Sequence, residues 1–135
     1  MGYYSNVAIH CEEKAFDLIM ESIKNYNEKN LPVGCVDFKP DSIKVRVRNG
    51  KKEYLLFWEY VKWYSNFDDV KAVEDVLRKL DKAKENDING YRYDFLRLGE
   101  EFGDKEEQSN DYCFGEIFAE SYISTGEGFK EVEND

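Results

Sequence analysis

Residues 43–60 read IKVRVRNGKKEYLLFWEY and decide the fold. Apolar side chains alternate with lysine and arginine over residues 43–48, which is typical of a strand that is buried on one face only. The Asn49-Gly50 dipeptide favours a two-residue type I′ turn, because both central positions of that turn need a positive φ. The run from Lys51 to Trp63 is therefore predicted to return as an antiparallel partner strand.

This returning strand carries bulky side chains on both of its faces. Leu55 and Phe57 point to one side of the strand, whereas Leu56, Trp58 and Tyr60 point to the other. A strand with apolar bulk on both faces is typically central in its sheet, or covered on both sides.

One amphipathic helix is predicted on each side of the hairpin. Between Glu12 and Asn27 the apolar residues recur at positions i, i+3, i+4 and i+7, which lines one side of a helix. Residues 65–69, SNFDD, suit a helix start because they supply capping oxygens and place two aspartates at the positive end of the helix dipole. The apolar stripe from Val70 to Leu80 continues that second helix.

Three further strands are predicted from alternating patterns, at Tyr3–His10, Tyr91–Leu98 and Tyr112–Ile123. The first six elements then follow the ferredoxin-like β-α-β-β-α-β order, an α+β fold with two helices on one face of an antiparallel sheet. The last strand is expected to extend the sheet as a hairpin with the fourth, with an acidic loop between them. Residues 1–123 are thus predicted to form a single α+β domain, and residues 124–135 an acidic C-terminal tail.

Composition excludes several classes of protein. A chain of 135 residues with 41% hydrophobic residues can fold as one domain, and its apolar runs are too short for a membrane span. We therefore expect a cytoplasmic protein. The three cysteines are scattered and His10 is the single histidine, so no metal site or cofactor is predicted, and His10 is expected to be packed. No catalytic or nucleotide-binding motif occurs, which favours a protein without enzymatic activity.

The negative charge is concentrated at the C-terminal end. Residues 99–135 hold 12 acidic and two basic side chains, which accounts for the whole net charge of −10. Clustered carboxylates attract basic surfaces and repel nucleic acid, so we expect a protein partner with a basic surface and no direct contact with DNA or RNA. The candidate partner-binding residues are Glu100, Glu101, Asp104, Glu106, Glu107, Asp111, Glu116 and Glu120.

Other interpretations of these residues remain open. The acidic segment also fits a solvated loop, or one that pairs with the basic hairpin face. A second functional class is a small-molecule binder that sequesters a nucleotide signal; its candidate ligand-binding residues are Arg46, Arg48, Trp58, Tyr60 and Trp63. An enzyme without a recognised motif is a third class, and an exposed edge strand is compatible with a homo-oligomer.

Three short blocks carry a resemblance to a known group of proteins. They are GYYSNVAI at residues 2–9, WEYVKWY at residues 58–64 and FLRLGEE at residues 95–101. Together they resemble small, mostly uncharacterised acidic proteins of bacteriophages and prophages. The resemblance supplies no functional residues. It implies a context, the cytoplasm of a bacterial host, and an anti-CRISPR-like role in which the protein binds and inhibits a host defence protein.

Overall fold

The computed structural model describes residues 3–30, 38–83, 89–101, 103–111, 114, 117–119 and 123–132. Their helices and strands follow one another in the order β1 (Ser5–Glu12), α1 (Glu13–Asn30), β2 (Ser42–Arg48), β3 (Lys51–Val61), α2 (Asp68–Ala83), β4 (Tyr93–Gly99), β5 (Lys105–Ser109), β6 (Ile117–Ala119), β7 (Ile123–Thr125) and β8 (Lys130–Glu131).

Six of the strands form one antiparallel sheet in the order β5-β4-β1-β3-β2-β8, and β6 pairs separately with β7. The hairpin between β2 and β3 turns at Asn49 and Gly50, whose φ angles of 55° and 76° confirm the predicted positive values. The central strand β1 pairs with β3 on one side and with β4 on the other. The α+β class with two helices and an antiparallel sheet is therefore confirmed.

The main core lies between one face of the sheet and the two helices. Val7 and Ile9 of β1 and Leu56 of β3 point to this face, and they form one buried cluster with the apolar stripes of α1 and α2. The stripes are those that the sequence predicts, with Ile19 in α1 and Val73 in α2 fully buried. Burial of these stripes is the main reason why two charge-rich helices stay folded.

The predicted acidic loop contains a strand. Residues 105–109, KEEQS, form β5 and pair with β4, so the prediction of a loop at this place is wrong. The short polar run has no strand-forming composition of its own, and its conformation comes from pairing with its apolar neighbour β4. Among the described residues of the strand predicted at Tyr112–Ile123, none pairs within this sheet, and Ile117–Ala119 instead pairs with Ile123–Thr125.

The C-terminal residues that were predicted as a tail belong in part to the fold. Ser124 and Thr125 lie in β7, and Lys130 pairs with Val45 at the far edge of the sheet. The Val132 amide donates to the Ile43 carbonyl at 2.8 Å. The prediction of a tail that begins at Ser124 is therefore wrong for these residues, and the last three residues of the chain lie outside the described part.

On the face of the sheet opposite the helices, two aromatic rings from the C-terminal part of the chain, Phe114 and Phe129, cover His10. The Phe114 ring stacks on His10 with centroids 4.1 Å apart, and the Phe129 ring meets the same imidazole edge-on at 5.6 Å. The central strands are thus buried on both faces, as the two-sided bulk of residues 54–60 indicates. Among the described helices, none is long and apolar enough to cross a membrane.

Candidate functional site

The hairpin of β4 and β5 carries most of the predicted partner-binding residues. Its turn is closed by two backbone bonds, from the Gly99 amide to the Asp104 carbonyl at 2.9 Å and from the Asp104 amide to the Glu101 carbonyl at 3.0 Å. A side chain at Gly99 would overlap the Asp104 carboxylate and the Tyr3 hydroxyl. Glycine at this position therefore lets the turn fold against the start of the chain.

Arg97 holds this hairpin in shape from within β4. Its guanidinium donates to Asp104 Oδ1 at 2.8 Å, to Glu106 Oε1 at 2.8 Å and to Ser5 Oγ at 3.0 Å. The Tyr3 hydroxyl donates to the same Asp104 carboxylate. These hydrogen bonds from Arg97 and Tyr3 hold the pKa of Asp104 below its ordinary value. The hairpin is thus joined to the body by charge-assisted bonds.

Four carboxylates of the hairpin face solvent. Glu106 and Glu107 have side chains that are 54% and 58% exposed, and Glu100 and Glu101 are exposed at the turn. We call Glu100, Glu101, Glu106 and Glu107 the acidic hairpin surface. Glu106 shares the helix side of the sheet with Arg97, whereas Glu107 points to the other side, because neighbours on a strand alternate. The surface therefore follows the edge of the sheet.

Two other predicted partner-binding residues, Asp104 and Asp111, are not part of this surface. Asp104 is bound by Arg97 and Tyr3, and Asp111 accepts from Arg92 Nε at 2.8 Å. Both carboxylates are engaged in internal ion pairs, so their predicted role in partner contact has no support in the geometry. Glu116 and Glu120 lie outside the described residues.

An aromatic pair adjoins the acidic hairpin surface. The rings of Tyr4 and Tyr60 stack with centroids 4.3 Å apart, and the Tyr4 amide donates to Glu100 Oε1 at 3.1 Å. Tyr60 is 68% exposed and adopts a φ of 52°, a left-handed conformation that a tyrosine rarely takes. The cause is a break in the β1–β3 register after Ser5, where the Tyr60 amide donates instead to Asn6 Oδ1 at 2.8 Å.

The alternative ligand-binding residues are not brought together. Trp58 and Trp63 are 1% and 6% exposed and lie in the core under the helices, so the burial of both rings gives no support to their predicted role in ligand binding. Trp58 is buried because it shares a face with its β1 partner Val7. Tyr60 is exposed, but at about 3.3 Å per residue it lies roughly 20 Å along β3 from Glu53, to which Arg46 and Arg48 bind.

Arg46 and Arg48 are engaged within the fold. Arg46 Nη2 donates to Glu53 Oε1 at 2.7 Å, and Arg48 Nε donates to Glu53 Oε2 at 2.9 Å. The Arg46 guanidinium also covers the Phe129 ring at 4.4 Å and donates to the Glu127 carbonyl. Both arginines thus bind Glu53, and Arg46 also contacts Glu127 and Phe129. These internal contacts give no support to the hypothesis that the two arginines bind a nucleotide.

His10 is the centre of a buried polar cluster. Its ring is 0% exposed, and its nitrogens lie 2.8 Å from Glu53 Oε1 and 2.6 Å from Asp94 Oδ1. An ionised carboxylate only accepts hydrogen bonds, so both contacts are satisfied by an imidazolium or by one protonated carboxyl group. Burial alone would raise the pKa of Glu53, but hydrogen bonds from Arg46 and His10 outweigh it and hold that pKa below its ordinary value.

This cluster has the residue types of an acid–base site, but its imidazole ring is fully buried. Phe114 and Phe129 cover the imidazole, so His10 is packed, as the sequence predicts. Cys11 is also fully buried, and burial raises the pKa of its thiol well above the ordinary value, which removes its nucleophilic form at neutral pH. In the described part of the chain, no group of three or more metal-ligating side chains is placed to hold an ion.

Sequence reasoning missed Arg97 and Tyr4. Arg97 interrupts the apolar run FLRL in a strand that is otherwise buried, and a charge at such a place needs an acidic partner nearby. That signal was present in the sequence. No such signal marks Tyr4 in the sequence, because the Tyr60 ring reaches it only through the register break between β1 and β3.

Comparison with family models, curated proteins and solved structures finds no match to this chain.

Proposed function

We propose that this chain is a binding protein without catalytic activity that attaches its acidic hairpin surface to a basic surface of another protein. The observation that carries the proposal is that some of these carboxylates are bound by arginine within the fold while others are exposed to solvent. Asp104 and Asp111 are bound in internal ion pairs, whereas Glu100, Glu101, Glu106 and Glu107 are exposed along one sheet edge. Glu106 is exposed although it also accepts a hydrogen bond from Arg97. An anchored, exposed set of like charges is suited to meeting a complementary surface.

The nearby tyrosines support a contact that is more than electrostatic. Tyrosine is enriched among the residues that carry binding energy, and Tyr60 is exposed beside the stacked Tyr4 ring. Tyr4 is joined to Glu100 through its backbone amide, so aromatic and acidic groups form one continuous area. We propose that this area is the contact surface.

The class of partner follows from charge and from the resemblance to phage proteins. A basic groove that handles nucleic acid is the natural target of closely spaced carboxylates, which stand in for phosphates. We propose that the partner is a host defence or nucleic-acid-handling protein of the bacterial cytoplasm and that binding inhibits it, in the manner of an anti-CRISPR protein.

We also propose that the first six elements form a ferredoxin-like unit. The strands joined by α1, β1 and β2, are separated in the sheet by β3, and the strands joined by α2, β3 and β4, are separated by β1. This is the arrangement of two split β-α-β units. In that description β5 and β8 are additions at the two edges, and the acidic hairpin surface lies on one of them.

The proposal is tested by charge removal with a matched control. One variant replaces the four glutamates of the acidic hairpin surface by glutamine. The control variant neutralises four exposed carboxylates that share one side of α1, with glutamine or asparagine at Glu13, Asp17, Glu21 and Glu28.

Both variants lose four negative charges, so a difference between them reports position and not net charge. We expect the native chain and the α1 variant to capture the same host protein from bacterial lysate at about 0.1 M salt and to release it at about 1 M, where the Debye length falls to roughly 3 Å. The hairpin variant should capture at least tenfold less. Equal capture by all three proteins would refute the proposal.

A further inference from the structure

The outer edge of β5 carries backbone groups that the sheet does not use. The Gly99 amide donates to the Asp104 carbonyl, and the Asn110 amide donates to the Tyr93 carbonyl. These two bonds show which residues of β5 direct their backbone groups toward β4 and which direct them away. Even-numbered residues of β5 direct their backbone groups toward β4, so Lys105, Glu107 and Ser109 direct theirs outward. Among the described residues, no strand pairs with that edge.

We propose that this edge binds an extended basic segment of the partner as an additional antiparallel or parallel strand. Strand addition gives affinity through main-chain hydrogen bonds and specificity through the side chains that flank them. The inference rests on the proposed function, because it specifies how the acidic hairpin surface meets its partner. It adds backbone hydrogen bonds along the outer edge of β5, which a purely electrostatic contact does not need.

Charge along β5 selects the sequence of the added strand. Glu106 lies on the helix side of the edge and Glu107 on the opposite side, so an added strand meets a carboxylate on each face. Lysine or arginine on either face is thus paired, whereas an acidic strand is repelled. Lys105 contacts Glu107 across 3.7 Å, and both side chains are more than half exposed.

A cleft beside β5 can receive a side chain of the added strand. Its volume is about 320 Å³, and it lies on the face of the sheet that bears Glu107, between β5 and β6. Leu96 and Ile117 supply apolar lining, and Glu107 supplies an exposed carboxylate. Asp94 also lines the cleft, but its Oδ1 atom lies 2.6 Å from His10 Nδ1. Such a lining suits the aliphatic stem and cationic head of lysine or arginine.

The same charges disfavour one way of placing a second copy of this chain on the edge. Antiparallel pairing of β5 with itself about Glu107 would bring Glu107 opposite Glu107 and place both copies of Glu106 nearby. Like charges directly opposite one another destabilise a strand pair. In this register the edge repels its own kind, whereas a basic strand is attracted.

Hydrogen exchange on the native protein provides the first test. The probe is a ten-residue peptide of alternating lysine and valine, and the control peptide has the same sequence with every backbone amide N-methylated, which keeps the charge but removes the donors that a strand ladder needs. We expect the lysine–valine peptide to slow exchange of the Lys105, Glu107 and Ser109 amides at least tenfold. The Glu106 and Gln108 amides, which point to β4, should change little.

Proline substitution provides the second test. Glu107→Pro removes an outward amide and should leave the sheet folded, whereas Glu106→Pro removes a donor directed to β4 and should destabilise it. We expect Glu107→Pro to weaken binding of the lysine–valine peptide at least tenfold, beyond the loss caused by Glu107→Gln. Lys105→Pro removes another outward amide and should weaken binding likewise.

The outcomes separate this inference from the proposed function. Equal binding of both peptides without the alternating protection would overturn strand addition, while a charge-dependent partner contact would stand. The same holds if neither peptide binds and capture of the host protein still depends on the four glutamates. A dimer that Glu107→Pro dissociates would place a second copy on the edge and overturn the inference. Unchanged capture by the glutamine variant would refute both proposals.

Discussion

At the scale of single residues, the structure assigns charged side chains to two different tasks. Glu53 and Asp94 are buried and both contact the buried His10, whereas Glu100 and Glu107 are exposed. Residue type does not distinguish the buried carboxylates from the exposed ones, so the distinction depends on which strands become neighbours. Alternation along each strand could predict the faces, but it could not predict that His10 lies opposite Asp94.

Replacing His10 should cost much of the stability of the domain. In His10→Leu the Glu53 and Asp94 carboxylates lose a buried partner, and we expect a loss of about 3 to 5 kcal/mol in the free energy of unfolding. Urea denaturation followed by tryptophan fluorescence measures this, since Trp58 and Trp63 are both buried in the core. A loss below about 1 kcal/mol would show that the cluster contributes little.

Stability should also depend on pH through Glu53. Its pKa is lowered in the folded state, so the unfolded chain binds a proton more readily. The contribution is complete above the unfolded-state pKa of about 4.3 and is lost as the pH falls through the lower folded value. We expect Glu53→Gln to make the decline of unfolding free energy below that pH shallower, by at most about 1.4 kcal/mol per pH unit. An unchanged slope would contradict this assignment.

At the scale of elements, the sequence predicts the periodic helices and strands well, but it does not predict the short polar strands. The alternating hairpin and both helical stripes are strong local signals, and β2, β3, α1 and α2 follow them closely. The polar strand β5 and the C-terminal strand β8 owe their form to the edges on which they lie. Five or fewer polar residues carry no pattern that indicates which strand they will pair with. Both segments are therefore predicted from the sequence as irregular.

Gly99 should be the position at which the hairpin is most sensitive to a single methyl group. In Gly99→Ala the new side chain overlaps Asp104 and Tyr3, and we expect a loss of about 1 to 3 kcal/mol. The control is Gly50→Ala, where nothing lies within 4 Å of the added carbon and only the φ of 76° is unfavourable. Thermal denaturation of the two variants compares them, and an equal shift in Tm would contradict the close approach at Gly99.

At the scale of the whole molecule, the excess negative charge is partly built into the fold. The sequence concentrates it in residues 99–135, and the structure separates that stretch into carboxylates that bind arginine and carboxylates that face solvent. Glu106 belongs to both sets, since it accepts from Arg97 while more than half exposed. The charge count therefore overstates the surface: of the six predicted partner-binding residues that the structure describes, Glu100, Glu101, Glu106 and Glu107 are exposed.

The most direct test of the central claim is a hydrogen-exchange footprint of the chain in complex with the host protein that it captures. The account predicts that protection on binding is concentrated in residues 99–109 and around Tyr4 and Tyr60, and that α1 is unaffected. Protection centred on α1, or on the β2–β3 turn, with residues 99–109 unchanged, would contradict it.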